Sequence, residues 1–196
     1  MMSVPKLDGS TELTIVQCML RDLEDYLKSD ALYWPVAEPN PLGSHMPQLT
    51  IGALLEASTR AAAAQNDLTP GQRQELEAAC AQHDRIRAAH PARYVSKAVH
   101  ELHSRLGAWK ANLDDESRKS KAFYAQDARV RAKIFLLENA LGADVPAELQ
   151  KHREQIDLEL YEVFVPGEFV WDARLQPSFP KVPCWWLYGH WLEEHY

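Results

Sequence analysis

Glycine is sparse and dispersed in this chain. Its eight residues among 196 form neither GxGxxG nor GxxxxGK[ST], which excludes the common backbone cradles for phosphate groups. Cysteine is scarcer still. Cys18, Cys80 and Cys184 are odd in number, far apart and without a CxxC pair, so neither a disulfide framework nor a zinc knuckle is encoded. The GxSxG of a nucleophile elbow and the HExxH of a zinc protease do not occur, nor do the paired Glu-x-x-His motifs of di-iron bundles. No apolar run reaches the length of a membrane span, and the first residues lack the apolar centre of a secretion signal. The expectation is a cytoplasmic protein without a membrane partner and without a cofactor.

What the chain does have is helical periodicity. Hydrophobic residues make up 46% and charged residues 25%, ordinary values for one globular domain of this length. From Arg93 to Asn139, apolar residues recur in steps of three and four. They fall at Val95, Ala98, Val99, Leu102, Leu106, Trp109 and Leu113, then at Phe123, Val130, Ile134, Leu137 and Leu141. Each series lays one seam along a helix. The polar segment Asn112 to Ser117 between them is short enough to return the second helix against the first.

The flanking segments read as shorter helices. Leu13, Val16, Leu20, Leu23 and Leu27 form a seam that Ser10 or Thr11 is placed to cap, and Pro35 closes the region behind it. After a proline-rich loop, a helix from about Leu49 or Thr50 to Gln65 offers Ala61 to Ala64, small residues that let a neighbour approach closely and place it near the bundle centre. Thr69-Pro70-Gly71-Gln72 is a capping box with proline at the first helical position. Pro91 interrupts that helix and starts the first long one, Gly142 suits the cap of the second, and Pro146 opens a last helix with Leu149, Ile156, Leu160 and Val163 inward.

Beyond Val165 the prolines 166, 177, 180 and 183 forbid a long helix, yet Trp171, Trp185, Trp186 and Trp191 lie there with other aromatics. So rich a segment is not disordered. The fold class is therefore all-α: about six helices in a mostly antiparallel bundle, forming a single domain over residues 1–196. The bundle spans 10–165, and an irregular aromatic strap over 166–196 packs on it, with a final helical turn around Trp185 to Glu194.

Chemistry-bearing residues are few. His100 and His103 share one side of a helix, and Asp127 stands where the next seam calls for an apolar residue, so these three could meet at a metal. The alternative is that both histidines are solvated and Asp127 is buried and paired. His83 and His90 read as core histidines bonded to a neighbour. Arg118, Lys121, Arg129 and Lys133 fall within one broad helical face that could track a nucleic-acid backbone. Against this, the chain carries a net charge of −7, although twelve Lys and Arg oppose six Asp and Glu between Asp84 and Lys133. The favoured explanation of that asymmetry is basic and acidic helices complementing each other inside the fold. Trp185, Trp186 and Trp191 are the remaining binding-surface candidates. With no catalytic constellation assembled, the expected function is a non-enzymatic protein-interaction module, binding a protein partner or itself as a homodimer. A small-molecule or metal site between the long helices and the tail is the alternative, and a nucleic-acid role for the 118–133 face ranks last.

Overall fold

The computed structural model describes residues 7–115 and 121–192, with the backbone alone for Lys121 and Ala122. Six α-helices lie within them: α1 (Gly9–Lys28), α2 (Ile51–Ala63), α3 (Pro70–Ala89), α4 (Pro91–Asp114), α5 (Lys121–Leu141) and α6 (Ala147–Glu162). The long pair α4 and α5 pack together, α2 lies against both α1 and α5, α3 covers α1, and α6 covers α4. No helix among the described residues is long and apolar enough to cross a membrane.

Local chemistry explains the boundaries. The Thr69 hydroxyl accepts from the Gln72 amide while the Gln72 carbonyl oxygen accepts from the Thr69 amide, closing the capping box at α3. Helix α4 opens at Pro91. Gly142 follows α5 with φ +56°, a conformation that costs a glycine little. The cap of α1 is neither Ser10 nor Thr11 but Asp8, whose carboxylate accepts from the Ser10 amide. Thr50 caps α2, its hydroxyl accepting from the Ala53 amide.

The seam of α4 is placed as its spacing predicts, with Ala98, Leu102, Leu106, Trp109 and Leu113 buried. Helix α5 departs from expectation in its first half. Phe123 is 42% exposed while Tyr124, Ala128 and Ala132 are buried, so the inward face is turned by about one residue; Ile134, Leu137 and Leu141 return to the predicted line. Asp127 is buried, as its place on the seam suggested, and the turn of phase brings Arg131 into the interior as well. Arg118, Glu116 and Ser117 of the connecting segment lie outside the described residues.

The tail packs on the bundle as a strap, but it is not wholly irregular. Strand β1 (Phe164–Phe169) pairs antiparallel with β2 (Tyr188–Trp191), in the register Phe164 opposite Trp191 and Val165 opposite His190, with an irregularity between Pro166 and Phe169. Pro166-Gly167, a dipeptide that ordinarily marks a turn, sits inside β1. The final helical turn is confined to a 3-10 turn at Trp185–Leu187; Glu194 lies outside the described residues. Gly189 is required by this ribbon, since a Cβ there would come within 2.2 Å of the Val165 carbonyl oxygen and 2.4 Å of the Phe164 ring.

Aromatic contacts fix the strap to the two long helices. Trp191 stacks on Trp109 of α4 at 5.8 Å and meets Tyr124 of α5 edge-on at 4.9 Å. The Tyr124 hydroxyl donates to the Trp186 carbonyl, and the Trp171 indole N–H to the Ala125 carbonyl at 2.8 Å. Trp191→Ala removes the ring that joins three elements, and about 3–5 kcal/mol of stability should be lost with it. Equilibrium urea unfolding of the full chain checks this, and an unchanged midpoint would show that the strap is not structural.

Candidate functional site

The described basic residues of α5 face carboxylates of neighbouring helices. Glu56 on α2 is fully surrounded by the bundle. Its Oε1 accepts from Arg129 Nε at 2.6 Å, and its Oε2 lies 3.2 Å from Lys133 Nζ. One turn along α2, Arg60 Nε donates to Glu12 Oε1 of α1 at 2.6 Å. Arg131, on the opposite side of α5, forks onto Asp157 of α6 with bonds of 3.0 and 2.9 Å, its guanidinium lying over the Trp186 ring. Arg129 and Lys133 are therefore turned towards a buried carboxylate rather than set out along an open face. Arg118 and the Lys121 side chain lie outside the described residues.

Glu12, Glu56, Arg60, Arg129 and Lys133 line a cleft of about 210 Å³ between α1, α2 and α5, with Gln126 exposed beside it. Ile15, Ala53, Ala57 and Val130 contribute apolar walls. The electrostatics are uneven. Burial alone would raise the Glu56 pKa, but Lys133 and Arg129 outweigh it and hold the carboxyl at about 2. Burial raises the pKa of Glu12, which Arg60 only partly offsets. Burial also lowers that of Lys133, against the pull of Glu56. Titratable groups shifted in opposite directions within one cleft are the pattern of a binding site as well as of a structural ion-pair network.

The histidine cluster does not form a metal centre. His100 and His103 are both exposed on α4, Asp127 is buried on α5 at 2% exposure, and no three His, Cys, Asp or Glu side chains converge among the described residues. Asp127 does engage an interaction, as its burial requires. The residue of consequence in His100-Glu101-Leu102-His103 is the one between the histidines. Glu101 is fully buried, accepting from the Thr50 hydroxyl at 2.6 Å, the Gly52 amide at 2.8 Å, and Arg105 Nε and Nη2 at 3.1 Å. It closes the N-terminus of α2, and a charged residue flanked by histidines gave no sign of facing inward. His83 behaves as the expected core histidine, with Nε2 3.1 Å from the Tyr94 hydroxyl and its pKa lowered by burial. His90 lies 3.9 Å from Glu24.

A second feature lies on the outer side of α6. Leu158 and Tyr161 are 70% and 72% exposed. With Trp185, which meets Tyr161 edge-on at 5.7 Å, and with Arg153, Glu154 and Asp157, they line an open groove of about 490 Å³. Of the three tail tryptophans read as a binding surface, Trp186 and Trp191 are fully buried in the core and only Trp185 reaches the surface. Compared with protein-family models, with curated proteins and with solved structures, the chain matches none.

The buried carboxylate makes a prediction. Glu56→Gln leaves Arg129 and Lys133 facing each other without an anion, and the variant should be less stable at pH 7 by about 3 kcal/mol. Because the Glu56 pKa is depressed in the fold, its contribution is present above the ordinary carboxylate range near 4.5 and is lost as pH falls towards about 2. The difference between wild type and variant should shrink over that interval. Parallel urea titrations between pH 7 and pH 2 measure it, and a difference independent of pH would contradict the pairing.

Proposed function

We propose that this chain is a non-enzymatic protein-interaction module whose docking face is the outer side of α6 where it meets the tail. The observation that carries the reading is the exposure of Leu158 and Tyr161 beside Trp185. A chain that buries Trp109, Trp186 and Trp191 completely has left two large apolar side chains open, one turn apart on a rigid helix. Residues at i and i+3 point to the same side, so they present a short apolar ridge to an incoming segment, with Trp185 as a wall. Leu192, also exposed, is held at the same end by its backbone N–H, which donates to the Val163 carbonyl.

Charge selects the occupant. Helix α6 carries five carboxylates against Lys151 and Arg153. Arg131 and Lys110 engage Asp157 and Glu159, and Arg153 is spent on Glu138, Glu154 and Asp157, which leaves the face acidic. A partner of complementary chemistry is an amphipathic helix with a Leu or aromatic stripe flanked by Lys and Arg. A second copy of the chain docking through the same face would bring acid against acid, which makes a homodimer the weaker reading. Nucleic acid is disfavoured for the same reason.

Two fluorescent helical peptides with the same apolar stripe, one flanked by lysines and one by glutamates, test the reading. The basic peptide should bind, more weakly as salt is raised, and Tyr161→Asp should weaken it by about 30-fold, the loss typical of a central aromatic anchor. Equal binding of both peptides, or indifference to Tyr161→Asp and Leu158→Asp, would remove the proposal. A concentration-dependent dimer in sedimentation that Tyr161→Asp abolishes would replace the foreign partner with a second copy.

A further inference from the structure

We infer that the cleft between α1, α2 and α5 binds a small monocarboxylate, held by the outer edges of Arg60 and Arg129. The geometry of the two arginines is the ground for this. Each is tied to its glutamate through Nε alone, Arg60 to Glu12 and Arg129 to Glu56. Among the described residues no hydrogen bond occupies the Nη groups of either, and neither pair of Nη atoms is sealed from solvent as Arg131 Nη1 is. Both side chains line the cleft, and their Nη donors are unspent. Arg131, by contrast, spends both prongs of its fork on Asp157. End-on attachment instead anchors the guanidinium while keeping the fork for another oxygen pair.

The balance of charge sets the valence of the occupant. Arg60, Arg129 and Lys133 oppose Glu12 and Glu56, leaving one positive charge for one negative ligand charge to neutralise. Size and lining set the rest. The volume of about 210 Å³ falls below the roughly 300 Å³ at which ligand pockets usually begin, so the occupant has few atoms. Ile15, Ala53, Ala57 and Val130 give it an apolar wall, which suits a short hydrocarbon body better than the outer oxygens of phosphate or sulfate. This site shares no residue with the α6 face, and the two proposals stand or fall separately.

The test uses the intact protein and butyrate, with butyramide, inorganic phosphate and sulfate as controls. Titration followed by the arginine Nε–H resonances should show saturable butyrate binding in the millimolar range that shifts Arg60 and Arg129 together. Butyramide, the same shape without charge, should bind at least about tenfold more weakly. Gln126 is exposed at the cleft and its side chain holds no hydrogen bond among the described residues, so a charge can be introduced there without breaking the pairs. Gln126→Glu should weaken butyrate by about three- to fivefold and Gln126→Lys should tighten it by a similar factor. Ala57→Leu, which fills the cleft and leaves every charge in place, should abolish binding in a protein whose circular dichroism is unchanged. The inference is overturned if butyrate fails to saturate or if butyramide binds equally well. It is overturned also if phosphate or sulfate is preferred, or if the two Gln126 variants do not move in opposite directions.

Discussion

The position of α2 depends on the Glu101 carboxylate. A carboxylate withdrawn from water costs several kcal/mol unless its oxygens are satisfied, and here hydroxyl, amide and guanidinium donors converge on it. Two of them, the Thr50 hydroxyl and the Gly52 amide, belong to the first turn of α2, where unpaired N–H groups and the helix dipole favour an anion. The approach is possible because residue 52 has no side chain: a Cβ there would lie 2.7 Å from Glu101 Oε1. Helix α2 is thereby pinned to α4 at one end. Glu56 and Arg60, one and two turns further along, are delivered to the places where they meet Arg129, Lys133 and Glu12.

From that arrangement follows the role of α5, a basic helix in the middle of an acidic molecule. Its cations are distributed to carboxylates on either side, Arg129 and Lys133 to α2 and Arg131 to α6. For these three cations the uneven charge of the sequence is compensated within the fold. Pairs of this kind contribute little net stability relative to well-packed apolar residues, because desolvation cancels much of the attraction. They do penalise errors. A helix rotated or shifted by one residue would bury cations with no partner, at a cost that an apolar seam sliding over another would not incur.

The same charges explain what the sequence could and could not reveal. Local chemistry was legible: the capping box at Thr69, the start at Pro91, the stop at Gly142 and the seam from Ala98 to Leu113 all depend on neighbours within a few residues. The first half of α5 was misphased because periodicity takes an aromatic as inward and an arginine as solvent-facing, whereas Phe123 is exposed and Arg131 is buried. Glu101 was passed over for the same reason, in favour of the histidines on either side of it. The ribbon between Phe164–Phe169 and Tyr188–Trp191 was invisible for another. Its pairing spans some twenty residues, and the Pro166-Gly167 that signals a turn is accommodated at an irregular edge. The open groove on α6 was half visible: the excess of aromatic residues could be counted, but not which of them the core would absorb.

Helix geometry ties the two ends of this arrangement together. Arg131 is two residues from both Arg129 and Lys133, which at roughly 100° per residue sets it on the other side of α5. One side of the helix therefore supplies the cations of the cleft, and the other supplies the partner of Asp157, which lines the groove beside Leu158 and Tyr161. Rotating α5 to improve one set of contacts would degrade the other. The strap adds a third restraint, since Tyr124, a turn or two before these residues, is held by Trp191 and by the Trp186 carbonyl. Both proposed sites are consequently carried on elements that α5 holds fixed, the cleft through Glu56 and the groove through Asp157. A ligand or partner would meet surfaces already in place, with little ordering entropy left to lose on binding.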